Sequence, residues 1–503
     1  MLTLTLSLCA CGGNSQGGEA AQTTTVPAAT DLLAEYGSSL TLAYTPNDSL
    51  NPYRCDGEIN RALMPLIYDP LYTLDKTYCP VPVLALSGGI DGLAVTVHLN
   101  TAAVFSDGRA VEAADVVYSF NLAKACAAYS AELSNIASAL AVGGSQVDFK
   151  LAKPDIYALN ALAFPIIPVG SADSADNVPA GTGRYMPREL DGEKYLTLNT
   201  SSLQYGDTAV KNIMLYPVSE NGQEIYLMRT GKIDFLFDAL SSGSYERLAP
   251  SYTDAPMNNM VYLGLNGTSE SSLMKYQWLR RAVSAGLDTA ALARTAFLGH
   301  AAGALAPVNP DFYDFNQSAA PERETAVSIL ESNGFTSFTS DGDVRTNGRV
   351  SLSVKLIVSR GNAFKESAAE FIKEQLSKCG IGVRVSVLGQ DEFLLALAQG
   401  GYDMYIGETL MPCNMSLDAF FTEDGALSYG IDTAAAGELD AGFRSGIITA
   451  EAFTNGFYEL SPFVPLCFRR GVAYYTGSAE TVEPLCCDRF ANVFEWELPV
   501  YAE

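Results

Sequence analysis

Reactive side chains are few and scattered in this sequence. There are two histidines, His98 and His300, far apart along the chain, so a histidine triad or a histidine-rich metal centre would need one or both of them. His98 falls in a strand-like run and reads as structural; His300 follows a helix and reads as solvated or capping. Cysteines stand at positions 9, 11, 55, 79, 126, 379, 413, 467, 486 and 487, with no CxxC and no Cys/His group at zinc spacing. They read as small buried hydrophobes, with the adjacent Cys486 and Cys487 as two ordinary thiols. One or two disulfides fit an extracytoplasmic setting, but spacing does not assign the pairs. Ser106-Asp107 has no base beside it. Gly181-Thr182-Gly183 lacks the third glycine and the Lys-Ser/Thr of a phosphate loop and reads as a turn into a strand. No nucleophile and base converge, so an enzyme, a metal site and a cofactor are not expected. What remains is binding chemistry. The run Glu408-Thr409-Leu410-Met411-Pro412-Cys413-Asn414-Met415-Ser416-Leu417-Asp418 gathers carboxylates, hydroxyls and an amide in one loop.

The elements ahead of that loop give it a place. Val350, Leu352, Val354, Leu356 and Val358 alternate as a strand does. Phe364, Ala368, Phe371, Ile372, Leu376 and Cys379 then recur at helical spacing, and Gly380 suits a left-handed cap. Ile381, Val383, Val385 and Val387 alternate again. Strand, helix, strand forces a parallel pair with a right-handed crossover. A helix over 391–399 leads to another strand over 402–406. Ligands of open α/β sheets bind at the carboxyl edge of such strands, so the loop 408–418 is a leading cleft candidate. Earlier, Leu40, Leu42 and Tyr44 alternate, as do Val95, Val97 and Leu99. Glu112 is expected in the first turn of a helix carrying Ala113, Val116, Val117, Phe120 and Ala123, where it favours the positive end.

Composition narrows the partners. The chain has 503 residues and is 48% apolar, enough for large cores. Its 31 Lys and Arg against 57 Asp and Glu give a net charge of −26, which repels phosphate backbones, so no nucleic acid is expected. No uninterrupted apolar run is long enough to span a membrane.

Several motifs, in order, resemble one family. They are Asn51-Pro52, Tyr68-Asp69-Pro70-Leu71, Phe105-Ser106-Asp107-Gly108 with 114–119, Gly181-Thr182-Gly183-Arg184-Tyr185 and Gly231-Lys232-Ile233-Asp234. Tyr262-Leu263-Gly264-Leu265-Asn266, Leu279-Arg280-Arg281-Ala282-Val283-Ser284, Gly380-Ile381, Tyr402-Asp403 and Val464-Pro465-Leu466 complete the series. Over roughly 38–500 the chain resembles the family 5 extracellular solute-binding proteins, the receptors of oligopeptide, dipeptide and nickel ABC importers. The first residues resemble a bacterial lipoprotein signal over 1–11, with Cys11 the lipidated residue, although no Lys or Arg precedes Arg54. Residues 12–37 then read as a flexible tether to a membrane.

The resemblance implies an α/β, two-lobed periplasmic-binding-protein-like fold (type II, cluster C) with an inserted small domain and a hinged cleft. Lobe I would take 38–60, 190–262 and 468–503, the inserted domain 61–189, and lobe II 263–467, with crossovers near Asn266 and Phe468 and Asn266 as a hinge residue. Peptide-binding members anchor the ligand's α-amine with an Asp in the loop after the strand that begins at Tyr402. Here that position falls on Cys413, Asn414 or Ser416, Asp418 aligns with a later polar residue, and Glu408 is a carboxylate available to substitute. The expected ligand-binding set is Tyr44, Asn51, Tyr53, Arg54, Glu408, Met411, Cys413, Asn414, Ser416 and Asp418, with 51–54 facing 411–418. The implied ligand is a peptide. Another small polar solute, a sugar or a metal chelate, stays open, as does a sensor or chaperone role with no importer. The implied partners are a permease, an ATPase and, through the lipid, an extracytoplasmic membrane face.

Overall fold

The computed structural model describes residues 39–174, 177–219, 222–315, 325–422, 425–477 and 482–496. The expected signal, the tether and Cys11 lie outside them. Two long strands, Ser251–Leu265 and Phe463–Tyr475, run antiparallel along each other. Phe235–Asp238 adds to the outer edge of Phe463–Tyr475. Met404–Leu410 adds to Ser251–Leu265, followed by Ser353–Ser359 and then Gly382–Leu388. Ser353–Ser359 is parallel to both of its neighbours, as the strand-helix-strand pattern requires. The intervening helix, Ala363–Lys378, buries Phe364, Ala368, Ala369, Ile372 and Leu376. Full burial of each large side chain contributes roughly 1.5–3 kcal/mol. Gly380 ends it at φ 86°, the left-handed cap its position suggests.

The strand begins later than its alternation does. Val350 is 40% exposed, and Thr346 bridges Ser351 in a small hairpin before Ser353. The last strand of the unit runs on to Leu410, beyond the expected 406, because Ser251–Leu265 offers it a full antiparallel ladder. Glu112 precedes the helix Ala113–Ala125 rather than sitting in its first turn, and its N–H donates to Asp115 Oδ2 at 2.9 Å.

Nearer the start of the chain, Ser39–Tyr44 pairs parallel with Asn212–Pro217, which continues through Glu193–Leu198 to Tyr185–Leu190. A separate sheet of Ala85–Asp91, Ala94–Leu99, Gln146–Leu151 and Ile136–Val142 packs with the helix Ala113–Ala125. Leu40, Leu42 and Leu215 of the first sheet share one apolar core with Val95, Val97 and Phe149 of the second and with Phe120 of that helix.

One close packing arrangement locks the register of the long sheet. Tyr262 lies across from Gly407, and Tyr405 across from Gly264. The two rings meet edge to face, 5.8 Å between centroids. A Cβ on Gly264 would stand 2.0 Å from the Tyr405 ring. Each tyrosine therefore lies over a residue that has no side chain. Gly264→Ala is expected to lower stability by about 1–3 kcal/mol through overpacking. A urea midpoint shifted down with an unchanged slope checks it.

Candidate ligand-binding cleft

The ladder between the two long strands breaks at its middle. Pro256 opposes Arg470 and Met260 opposes Phe468, so Met257, Asn258 and Asn259 share the space opposite Arg469 alone; a second shift follows between Val261 and Tyr262. Pro256 has no N–H to give the ladder. A bulge of this kind re-aims side chains. Met257 and Asn259 line a cleft of about 580 Å³. Phe237, Ala239 and Ser241 form one side of it; Ser359, Arg360, Asn362, Lys365, Gln390, Glu408 and Leu410 form the other. The second side is the carboxyl edge of the parallel strands, where topology places a ligand.

A charged cluster occupies the floor. Glu408 Oε1 accepts from Arg469 Nη1 at 2.8 Å and from Asn259 Nδ2 at 3.1 Å. Glu408 Oε2 pairs with Lys365 Nζ at 3.1 Å. Burial alone would push the Glu408 carboxyl up; Arg469 and Lys365 override it and hold the group below the usual carboxylate range. Arg469 is 4% exposed and also donates from Nη2 to the carbonyls of Leu240, at 2.7 Å, and Ala239. Asn362 accepts from Lys365 N at the start of its helix and donates to Ser241 O at 2.9 Å. Arg489 lies over the Phe237 ring, 4.0 Å from its centroid, and donates to Pro256 O at 2.8 Å.

Of the expected ligand-binding residues, Glu408 alone lines this cleft. Tyr53 is buried and its hydroxyl donates to Pro165 O. Asn51 donates to Ser174 O and Asn177 O, and Arg54 to Ala172 O. Tyr44 is buried in its strand, with Lys194 over its ring. Segment 411–418 packs elsewhere, mostly against residues between 132 and 160, with further contacts to Asn258, Arg444 and Cys487. Met411 N donates to Asn258 O and Cys413 N to Glu132 Oε2. Asn414 donates to Asp155, which also pairs with Arg444. Asp418 pairs with Lys153 at 2.8 Å, and Ser416 joins it in lining a smaller cavity of about 220 Å³. So neither 51–54 nor 411–418 lines the cleft; other segments of the chain satisfy the polar groups of each. Asn266 holds the turn before the Met404–Leu410 strand, donating to Tyr402 O at 2.9 Å and Gly400 O at 3.2 Å.

The histidines also differ from expectation. His300 is 9% exposed rather than solvated, with Nδ1 3.3 Å from Asp254 Oδ1 and its ring on Tyr245. His98 points outward from its strand and is exposed. The described cysteines are free thiols, and Cys413 Sγ lies 3.0 Å from Cys487 Sγ. Sequence reasoning missed Asn259, Lys365, Arg469 and Arg489. One signal was there: Arg469-Arg470 interrupts an otherwise apolar strand, and Pro256 interrupts its partner.

Residues 80–423 match the model of a family described as bacterial extracellular solute-binding proteins, family 5 Middle. The oligopeptide-binding protein AppA of Bacillus subtilis (strain 168) is 25% identical over 324 residues. That match spans 59% of this chain and 59% of the length of that relative. Among solved structures, AppA from Bacillus subtilis in complex with a nonapeptide covers 92% of this chain and 99% of its own, at 20% identity and TM-score 0.58. NikA from Brucella suis in complex with Fe(III)-EDTA covers 90% and 98%, at 19% identity and TM-score 0.62. The fold is that of the two-lobed, type II binding proteins.

Three carboxyls give a pH signature, and one of them is Glu132, which burial pushes up to about 7 against its hydrogen bond from Cys413 N. Burial pushes Asp440 up to about 7, with Arg444 opposing and Asp418 and Asp155 reinforcing the rise. Burial likewise pushes Asp69 up to about 6, against hydrogen bonds from Thr182 and Gln204. Each folded-state carboxyl keeps its proton to a higher pH than the unfolded one. The folded state therefore binds more protons between about pH 4 and about pH 7, and stability falls as pH rises through that window. The thermal midpoint is expected to drop from about pH 5 to about pH 8, and less so in Asp440→Asn. A flat profile in the parent protein, or an Asp440→Asn profile that matches it, contradicts this.

Proposed function

The chain belongs to the family 5 bacterial extracellular solute-binding proteins, and from that premise we propose that it is the receptor of an ABC importer. It captures a small polar solute, a short peptide foremost, by closing two lobes around it. It then presents the closed form to a permease and its ATPase. One observation carries this reading: the 580 Å³ cleft lies on the carboxyl edge of the parallel strands, where the two long strands lose register. Cavities of a few hundred cubic ångströms suit ligands of that size. A broken ladder is a compliant joint, and binding energy that favours the closed form makes closure ligand-dependent.

Support for a peptide comes from the relative named as an oligopeptide-binding protein and from the neighbour solved with a nonapeptide. The neighbour that holds Fe(III)-EDTA supports a chelate as the second reading. No helix among the described residues is long and apolar enough to cross a membrane. Membrane attachment in this reading comes through a lipid on Cys11.

Native mass spectrometry of the gently purified protein tests the ligand. A set of retained short-peptide masses is the expected result; one non-peptide mass moves the reading to another solute. Solution scattering tests the mechanism, with a smaller radius of gyration expected on loading. Identical scattering with every solute supplied, together with no calorimetric heat, sinks the receptor reading.

A further inference from the structure

The chain carries 31 Lys and Arg against 57 Asp and Glu, and its net charge is −26. The cleft reverses that balance. Arg360, Lys365, Arg469 and Arg489 line it, against Glu58 and Glu408. Glu408 is already engaged through both oxygens, by Arg469 and Asn259 on one and Lys365 on the other. Its single charge is already matched by two cations, Arg469 and Lys365, so an incoming ammonium meets no net negative charge there. Arg360 and Arg489 have no carboxylate in ion-pair contact among the described residues. Arg489 is oriented by the Phe237 face and by Nη1 bonds to Pro256 O and Leu485 O, which leave Nη2 and Nε without a bond among the described residues. Arg360 is exposed at the carboxyl end of its strand.

We infer that the captured solute carries anionic oxygen groups and a net negative charge. Arg360 and Arg489 are its partners, and Glu408 is a fixed internal counter-ion rather than an amine anchor. A guanidinium fork matches a carboxylate or a phosphoryl group, and it does so best where water is partly excluded. A positive cleft inside a strongly negative surface also selects by sign, because an anion lowers its energy there and a cation does not. An acidic peptide meets these terms and a basic one does not. The inference rests on the receptor reading above.

Calorimetric titration at low salt decides it, with the dipeptides Glu-Glu, Ala-Ala and Lys-Lys, and with citrate and glycerol phosphate. The expected result is that at least one anionic probe binds about tenfold tighter than Lys-Lys and Ala-Ala, and weakens as salt is added. Citrate or Glu-Glu in first place assigns carboxylate; glycerol phosphate in first place assigns phosphoryl. Arg360→Ala and Arg489→Gln are each expected to weaken that probe about tenfold. Arg360 is exposed, so its replacement keeps the test valid even if Arg489→Gln fails to fold. Equal affinity across the three dipeptides, preference for Lys-Lys, or anion binding unchanged in Arg360→Ala overturns the inference and leaves the receptor reading intact. Any molecule retained in the native mass spectrum is judged alike: a negative net charge supports the inference, a neutral or positive one overturns it. No binding by any probe and no retained molecule overturns both readings together.

Discussion

A guanidinium that is 4% exposed must find partners inside the protein, and Arg469 finds them on two other chain segments. Its own strand is Phe463–Tyr475. Glu408 comes from the end of Met404–Leu410, and the carbonyls of Ala239 and Leu240 come from the segment after Phe235–Asp238. Removing one member of such a buried pair typically costs about 3–5 kcal/mol, because the other is left charged and dry. The bulge makes the convergence possible. Three residues stand where one would, so Asn259 reaches Glu408 from the neighbouring strand. The floor of the cleft is thus set by electrostatic necessity as much as by apolar packing.

The parallel unit was legible because local signals agreed there. Alternation, helical spacing and a glycine cap all favoured one arrangement, and the structure has it. The errors were at edges. Val350 alternates with its successors yet lies outside the ladder, since periodicity marks a face and not a hydrogen bond. The strand ending at Leu410 outran its expected end because its partner is remote in sequence. The family resemblance, carried by weak motifs in a fixed order, reached the right family for the same reason: their agreement outweighed each alone.

The cleft was far less legible. Polar residues in a loop after a strand look equally available for a ligand or for a neighbouring segment. In 411–418 the neighbours won: Glu132, Lys153 and Asp155 satisfy Cys413, Asp418 and Asn414. Asn51 and Tyr53 are likewise consumed by carbonyls between 165 and 177. The arginines that do line the cleft come from 360, 469 and 489, and only tertiary folding brings them together. Charge totals gave no help, because a net charge of −26 says nothing about where the few cations gather.

The broken ladder has a mechanical consequence. If the lobes turn about the segment between Pro256 and Met260, the arc travelled by any point is the angle times its radius from that pivot. Groups beside the pivot, Asn259 and Arg469 among them, barely travel, while the outer rim sweeps far. A cargo's inner end would then meet a nearly stationary surface and its outer end a moving one. Tightness of grip and the shape shown to the outside would be governed by different residues, and each could drift in evolution without disturbing the other.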